Sequence, residues 1–459
     1  MRNIPTVSVA ACALIAGLAA TSARAQAAVA TTPQCLPVQH WDSVMRMCMP
    51  NSKPASRNEI DGTPSRHRET LAPVSGAVET PPMGSSPPPN QSLPDSGMTM
   101  PVPGDVQSTS AIMFQLNQFV AYSNTSGPRG QSRLTGPGMW MLMYDKDLSP
   151  TNHLRIDVMG SPEQLTVGDK GTPQLLQTEH VDAMHAHDTL MALEFRDVLT
   201  LGTNDKQKLT FLFAPRGEAA IGPVPFMHRE SAAGNPDAPL GHALQDGFHD
   251  ASTVFGIEYQ IAHTTVEATA FSGQGVSWPL PLHSPDSYGL RLNQDVDDHV
   301  SVGASFADVL LPDDAGGAEH NEFISGWITT SHLIDGNTLK SSLIWGQARA
   351  THGPALNSLL AEAVYQWGAN EFFGRAEILQ IAPTQLDLAI GTGSADAVWV
   401  KALTVGYERT LFENDGFSLR AGGSYTKDFV PVEFLPAYGS DPQGVKLYAR
   451  INLMVDRGF

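Results

Sequence analysis

The chain has 459 residues, 41% of them hydrophobic and 16% charged, with a formal net charge of −19. So acidic a balance excludes nucleic acid and anionic membrane surfaces as electrostatic partners. Beyond the N-terminal region no apolar run approaches the ~18 residues of a spanning helix, so the chain is either soluble or crosses a membrane with strands.

At the N-terminus Arg2 precedes an apolar stretch from Val7 to Ala20, and small residues at Ala23 and Ala25 flank a cleavage point before Gln26. Residues 1–25 read as a secretory signal peptide, and loss of Arg2 and Arg24 with it takes the charge from −19 to −21. Residues 26–105 follow, rich in Pro and small polar side chains, as in the run from Glu79 to Pro89. They show no sustained period of 2 or 3.6, which predicts a disordered periplasmic segment able to meet a periplasmic partner. Cys35 and Cys48 are the only cysteines left after cleavage, and an oxidising compartment makes a small disulfide loop the expectation. The alternative use of this segment is a soft copper site drawing on both cysteines with His40, Met45, Met47 and Met49.

From residue 106 to 459 the chain divides into about sixteen strand candidates, with fourteen to eighteen as the acceptable range. Each is of the ~9 to 11 residues a tilted membrane strand requires. Leu154, Ile156 and Val158 alternate with His153, Arg155 and Asp157; Phe255, Ile257, Tyr259 and Ile261 alternate with Gly256, Glu258 and Gln260. The segment from Met139 to Tyr144 is apolar on both parities and leaves its facing open. Links after even-numbered strands are short and carry turn residues, such as Asp335-Gly336-Asn337 and Glu413-Asn414-Asp415-Gly416, whereas 161–188 and 216–250, after odd-numbered strands, are long. Sorting by parity is what an antiparallel up-and-down meander with periplasmic termini requires. The fold class is therefore all-β: a transmembrane up-and-down β-barrel behind a disordered N-terminal segment.

The last strand alternates most regularly. Val445, Leu447, Ala449, Ile451, Leu453, Val455 and Phe459 share one parity, and Lys446, Tyr448, Arg450 and Asn452 take the other. Apolar outside and polar inside inverts the soluble pattern, as a barrel in lipid needs. The terminal aromatic also resembles the C-terminal strand of bacterial outer-membrane β-barrels of the porin type. That resemblance implies outer-membrane lipid as surroundings, recognition of the Phe459 strand by the barrel assembly machinery, residence in a Gram-negative outer membrane, and a homotrimer as an assembly to expect.

Sixteen strands enclose an aqueous lumen unless a loop folds in. Passive passage of small polar or charged solutes is then the leading function. Arg155, Asp157, Glu194, Arg196, Glu258, Arg291, Arg375 and Arg450 are the lumen-facing candidates. Opposed rings of these charges would sort solutes; pairing across the wall would merely stiffen it. A non-conducting barrel plugged by its loops, used for binding or anchoring, is the alternative.

Concentrated chemistry sits in the two long loops. His185, His187 and Asp188 close the first; His228, His242, Asp246 and His249 lie in the second. Imidazole and carboxylate at this density suit a divalent transition metal, although no spacing matches a zinc signature. No cofactor is required. Together with the run from Phe226 to Arg229 and from Asn235 to Pro239, these residues resemble a family of uncharacterised Gram-negative outer-membrane proteins, some found among heavy-metal and copper resistance genes. Ala186 and Ala243 stand where that pattern would carry Pro and His. A barrel hydrolase is the remaining alternative, with His187–Asp188 and His249–Asp250 as acid–base pairs, but no G-x-S-x-G elbow or nucleophile accompanies them, and the chain reads as non-enzymatic.

Overall fold

A computed structural model describes residues 39–42, 47–50, 110–202, 206–249, 251–273, 282–312, 318–351, 353–388 and 397–458. The signal peptide, most of 26–105, Cys35 and Phe459 lie outside them, and with them the expected disulfide. By itself, the N-terminal unit contains a short antiparallel hairpin of Gln39–Asp42 with Met47–Pro50, Trp41 opposite Cys48.

The second unit is a closed antiparallel barrel of sixteen strands. They are β1 (Ser110–Thr125), β2 (Gly138–Ser149), β3 (Asn152–Gly160) and β4 (Ala192–Thr200). Next come β5 (Gln207–Gly217), β6 (Ala251–Ile261), β7 (Thr264–Ser272) and β8 (Ser287–Asp295). β9 (Val300–Pro312), β10 (Ala318–Ile334), β11 (Asn337–Ala350) and β12 (Ala355–Trp367) follow. β13 (Asn370–Ile381), β14 (Val398–Asn414), β15 (Phe417–Phe429) and β16 (Gln443–Gly458) complete the wall. A four-residue strand, Ser132–Thr135, also pairs with the end of β1. Each strand pairs with its neighbours in sequence, and β16 closes on β1, with Gly458 opposite Ala111 and Gly444 opposite Thr125. Closure leaves no backbone edge, which is what lipid demands.

The strand ends explain the parity of the links. β10 and β11 are joined by Asp335 and Gly336 alone, at φ 50° and 79°; β14 and β15 by Asp415 and Gly416, at φ 48° and 80°. Two left-handed residues in succession give the turn whose twist matches a hairpin, and Asp-Gly is the pair that adopts it cheaply. The start of β1 and the end of β16 share a rim with these short turns. The long connections 161–191 and 218–250 belong to the opposite rim.

The wall is apolar outside and polar inside. On β16 Val445 and Leu447 are exposed while Lys446, Tyr448 and Arg450 are buried; on β14 Val405 is 54% exposed beside buried Thr404. The ambiguous β2 resolves with Met139 and Met143 buried and Leu142 exposed. Because a strand has period 2, one register assignment decides every residue's side.

Candidate functional site: the loop-filled lumen

The interior holds protein rather than an open bore. From Glu218 to His249 most residues are buried and only Ala243 is exposed, although the segment is a loop with only short helical turns at Phe226–His228, Glu230–Ala232 and His242–Gln245. A loop can be buried only if its backbone and charged groups find partners, and the inward parity of the wall supplies them.

On one side the Gly222 N–H donates to Ser305 Oγ on β9 (2.8 Å) and Ala220 N–H to Thr269 Oγ1 on β7 (2.9 Å). Arg229 Nε donates to Glu362 on β12 (2.5 Å) and its Nη1 to Asp246 (2.5 Å). Farther along, Leu240 N–H donates to Glu377 on β13 (2.6 Å), Arg375 Nη1 to the Asp237 carbonyl (2.7 Å), and the Tyr448 hydroxyl on β16 to the Gly234 carbonyl (2.8 Å). Lys446 pairs with Asp237 and Lys340 with Glu230. His228 Nε2 lies 3.1 Å from Met159 Sδ on β3. β3 and β11, which Lys340 belongs to, are eight positions apart in a ring of sixteen. The loop therefore crosses the full lumen.

Close approach also depends on missing side chains. A Cβ on Gly346 of β11 would stand 2.2 Å from the Leu244 carbonyl oxygen, and one on Gly222 1.9 Å from that of Gln245. Gly222 also has φ 74°. Both glycines let backbone pack directly on backbone.

The eight lumen-facing candidates lie on the inward parity, and all but Glu258 are ion-paired. Arg155 binds Asp157 (2.8 Å) and Arg196 binds Glu194 (2.7 Å). Arg291 binds Glu267 and Glu218 (both 2.6 Å); Arg375 binds Glu362 (3.2 Å); Arg450 binds Glu408 (3.2 Å), which also takes Arg420 (3.1 Å). Glu258 is half-buried, its carboxylate aimed inward from β6. Most of this charge is thus held in ion pairs along the wall, with Glu218 tying Arg291 to the start of the loop, rather than in opposed bare rings.

Four loop histidines come together. Ring centroids of His185 and His187 are 5.2 Å apart, His187 and His249 5.5 Å, His249 and His242 5.2 Å. Each of three has its own carboxylate at Nδ1: Glu179 for His185 (2.9 Å), Glu163 for His187 (2.8 Å) and Asp246 for His242 (2.6 Å). Burial would raise the Asp246 carboxyl, but His242 and Arg229 offset it and hold it at about 2. Glu179 is likewise held at about 2, against burial, by His242 and His185.

The other two candidates part from this group. Asp188 turns away to Arg216 (2.7 Å), so it is no partner for His187. His228 sits with Met159, and burial pushes its imidazole down to about 4. Among the described residues, no three His, Cys, Asp or Glu side chains stand where they would share one metal ion. Glu163 and Glu179 were not singled out in the sequence, and the run from Phe226 to Arg229 gave no sign that Arg229 meets Glu362, 133 positions away.

A closed wall of this kind, apolar toward lipid and polar within, defines a transmembrane β-barrel of the Gram-negative outer membrane. No protein-family profile and no curated protein matches the chain. Among solved structures it is similar to Salmonella typhi OmpF in complex with daunomycin, with 8% identity, a TM-score of 0.49, and coverage of 75% of this chain and 97% of the other. It is also similar to an anion-selective porin from Comamonas acidovorans, with 12% identity, a TM-score of 0.48, and coverage of 76% and 100%. At such identities and scores these likenesses carry no argument about solute, and the membrane assignment rests on the barrel's own wall.

Proposed function

We propose that this protein is an outer-membrane channel for small polar or charged solutes, its bore constricted by the 218–250 loop. The observation that supports this is the pairing of a sixteen-stranded, polar-lined lumen with a loop tethered across it by ion pairs and hydrogen bonds, beside apolar contacts of Ile221 and Leu240 with the wall. Two spaces flank the loop. One, of about 450 Å³, is lined by polar groups that include Asp237, Arg375, Glu377, Asp428 and Lys446; the other, of about 650 Å³, lies between the 218–250 loop and β1 and β2.

The same crossing favours a second reading, in which the loop seals the lumen and the barrel binds or anchors without conducting. Planar-bilayer recording separates the two. The wild-type protein should give small discrete steps, and a variant lacking residues 223–247 larger ones. Silence from well-folded wild type, with steps only from the deletion, would assign the sealed form.

A further inference from the structure

The larger of the two spaces is lined by sulfur. Met139 from β2, Met184 and Met191 from the 161–191 loop and Met227 from the 218–250 loop border it. Met159 of β3 packs in the same group with Met139, Met191 and Met227. Five thioethers from four separate segments thus meet at one place inside a lumen whose wall is otherwise rich in charge. Methionine does serve as plastic filler in cores, but filler does not account for the two imidazoles set among these sulfurs.

His187 borders the space, and its Nε2 is buried without a hydrogen-bond partner while its Nδ1 is engaged by Glu163. A carboxylate at one ring nitrogen with the other left bare is how ligating histidines are commonly oriented. His228, 6% exposed, puts Nε2 3.1 Å from Met159 Sδ and leaves a buried Nδ1 unpartnered. Buried imidazole nitrogens without partners are costly. An ion would satisfy them.

The geometry points to a binding site for a soft monovalent metal ion, Cu(I) or Ag(I), held by thioethers of the Met139, Met159, Met184, Met191 and Met227 cluster with His187 and His228. Thioethers select soft ions such as Cu(I) and Ag(I), imidazole accepts them as well, and sulfurs outnumber the one carboxylate, Glu163, that borders the space. With Nε2 turned to Met159 Sδ, the buried Nδ1 of His228 is the ring nitrogen left to accept an ion. Glu163 behind His187 supplies one balancing negative charge. The site stands whether or not the lumen conducts.

Ag(I), which undergoes no redox cycling, is the probe. Full-length protein in detergent micelles, carrying Cys35→Ser and Cys48→Ser to silence the N-terminal thiols, is compared with the same chain bearing Met159→Leu, Met191→Leu and Met227→Leu. Leucine keeps volume and apolarity and removes the sulfur. The parent should bind one equivalent more than the leucine variant, with Zn(II) failing to compete; equal stoichiometry and affinity would overturn the site. Methyl-13C-methionine NMR of the parent provides a measurement that does not depend on the triple variant folding. On addition of Ag(I), methyl resonances of the chamber methionines should shift. Shifts confined to other methionines would refute the assignment.

Discussion

Arg229 ties the loop both to the wall and to itself. Its guanidinium is 4% exposed and is shared between Glu362 on the wall and Asp246 within the loop. Breaking a buried pair by removing one member strands the others, at about 3–5 kcal/mol. Arg229→Ala should therefore loosen the loop without opening the barrel. Cleavage by chymotrypsin after Phe226 or Phe248 should rise at least tenfold while the heat-modifiable gel shift of the folded barrel persists. Unchanged cleavage would mean that the other tethers suffice. At Glu218, one residue past β5, one guanidinium faces two carboxylates, since Arg291 also takes Glu267. Burial raises the Glu218 carboxyl to about 7 against the pull of Arg291. A carboxyl raised in the folded state releases its proton later than in the unfolded chain. Its stabilisation is full below about 4.5 and is lost as pH rises through about 7. Thermal midpoints of the wild type should fall across that window, and Glu218→Gln should flatten the fall. None of these pairs was legible in sequence, because Arg229 and Glu362 are 133 positions apart and nothing local marks them as partners.

At the scale of elements, strands and turns were legible and loops were not. Sixteen strands, the short Asp-Gly turns and the sorting of links by parity followed from period-2 alternation and from the φ preferences of Asp and Gly, which act within a few residues. Burial of 218–250 did not follow, because its Pro, His and Asp content reads equally well as solvated loop. The contact that admits it is a glycine on the wall. Gly346→Ala would push a Cβ into the Leu244 carbonyl, and overpacking of this kind costs about 1–3 kcal/mol. The His242–Gln245 turn should lift off β11, widening the conductance step of a reconstituted channel, while strand content by circular dichroism stays the same. A lost strand signal would instead place the damage in β11 itself.

For the whole molecule, the outer face decides where the protein resides. Val405 is exposed in the middle of β14, and an arginine facing lipid near the midplane costs about 2–4 kcal/mol. Val405→Arg should lower the urea midpoint for unfolding from lipid vesicles. Thr404→Arg, on the other parity, should have a smaller effect on that midpoint. Equal losses would contradict the assigned facing. The sequence by itself determined this wall: alternation, turn chemistry and a final strand that is apolar on one parity depend on neighbours along the chain, and a one-residue error would have turned every side chain over. Tertiary structure alone decided what the wall encloses. Which charge meets which, that His185, His187, His242 and His249 converge while Asp188 and His228 do not, and that five methionines from four segments share one chamber all depend on a loop folding inward. That fold is selected by partners across the lumen, whose proximity no local pattern encodes.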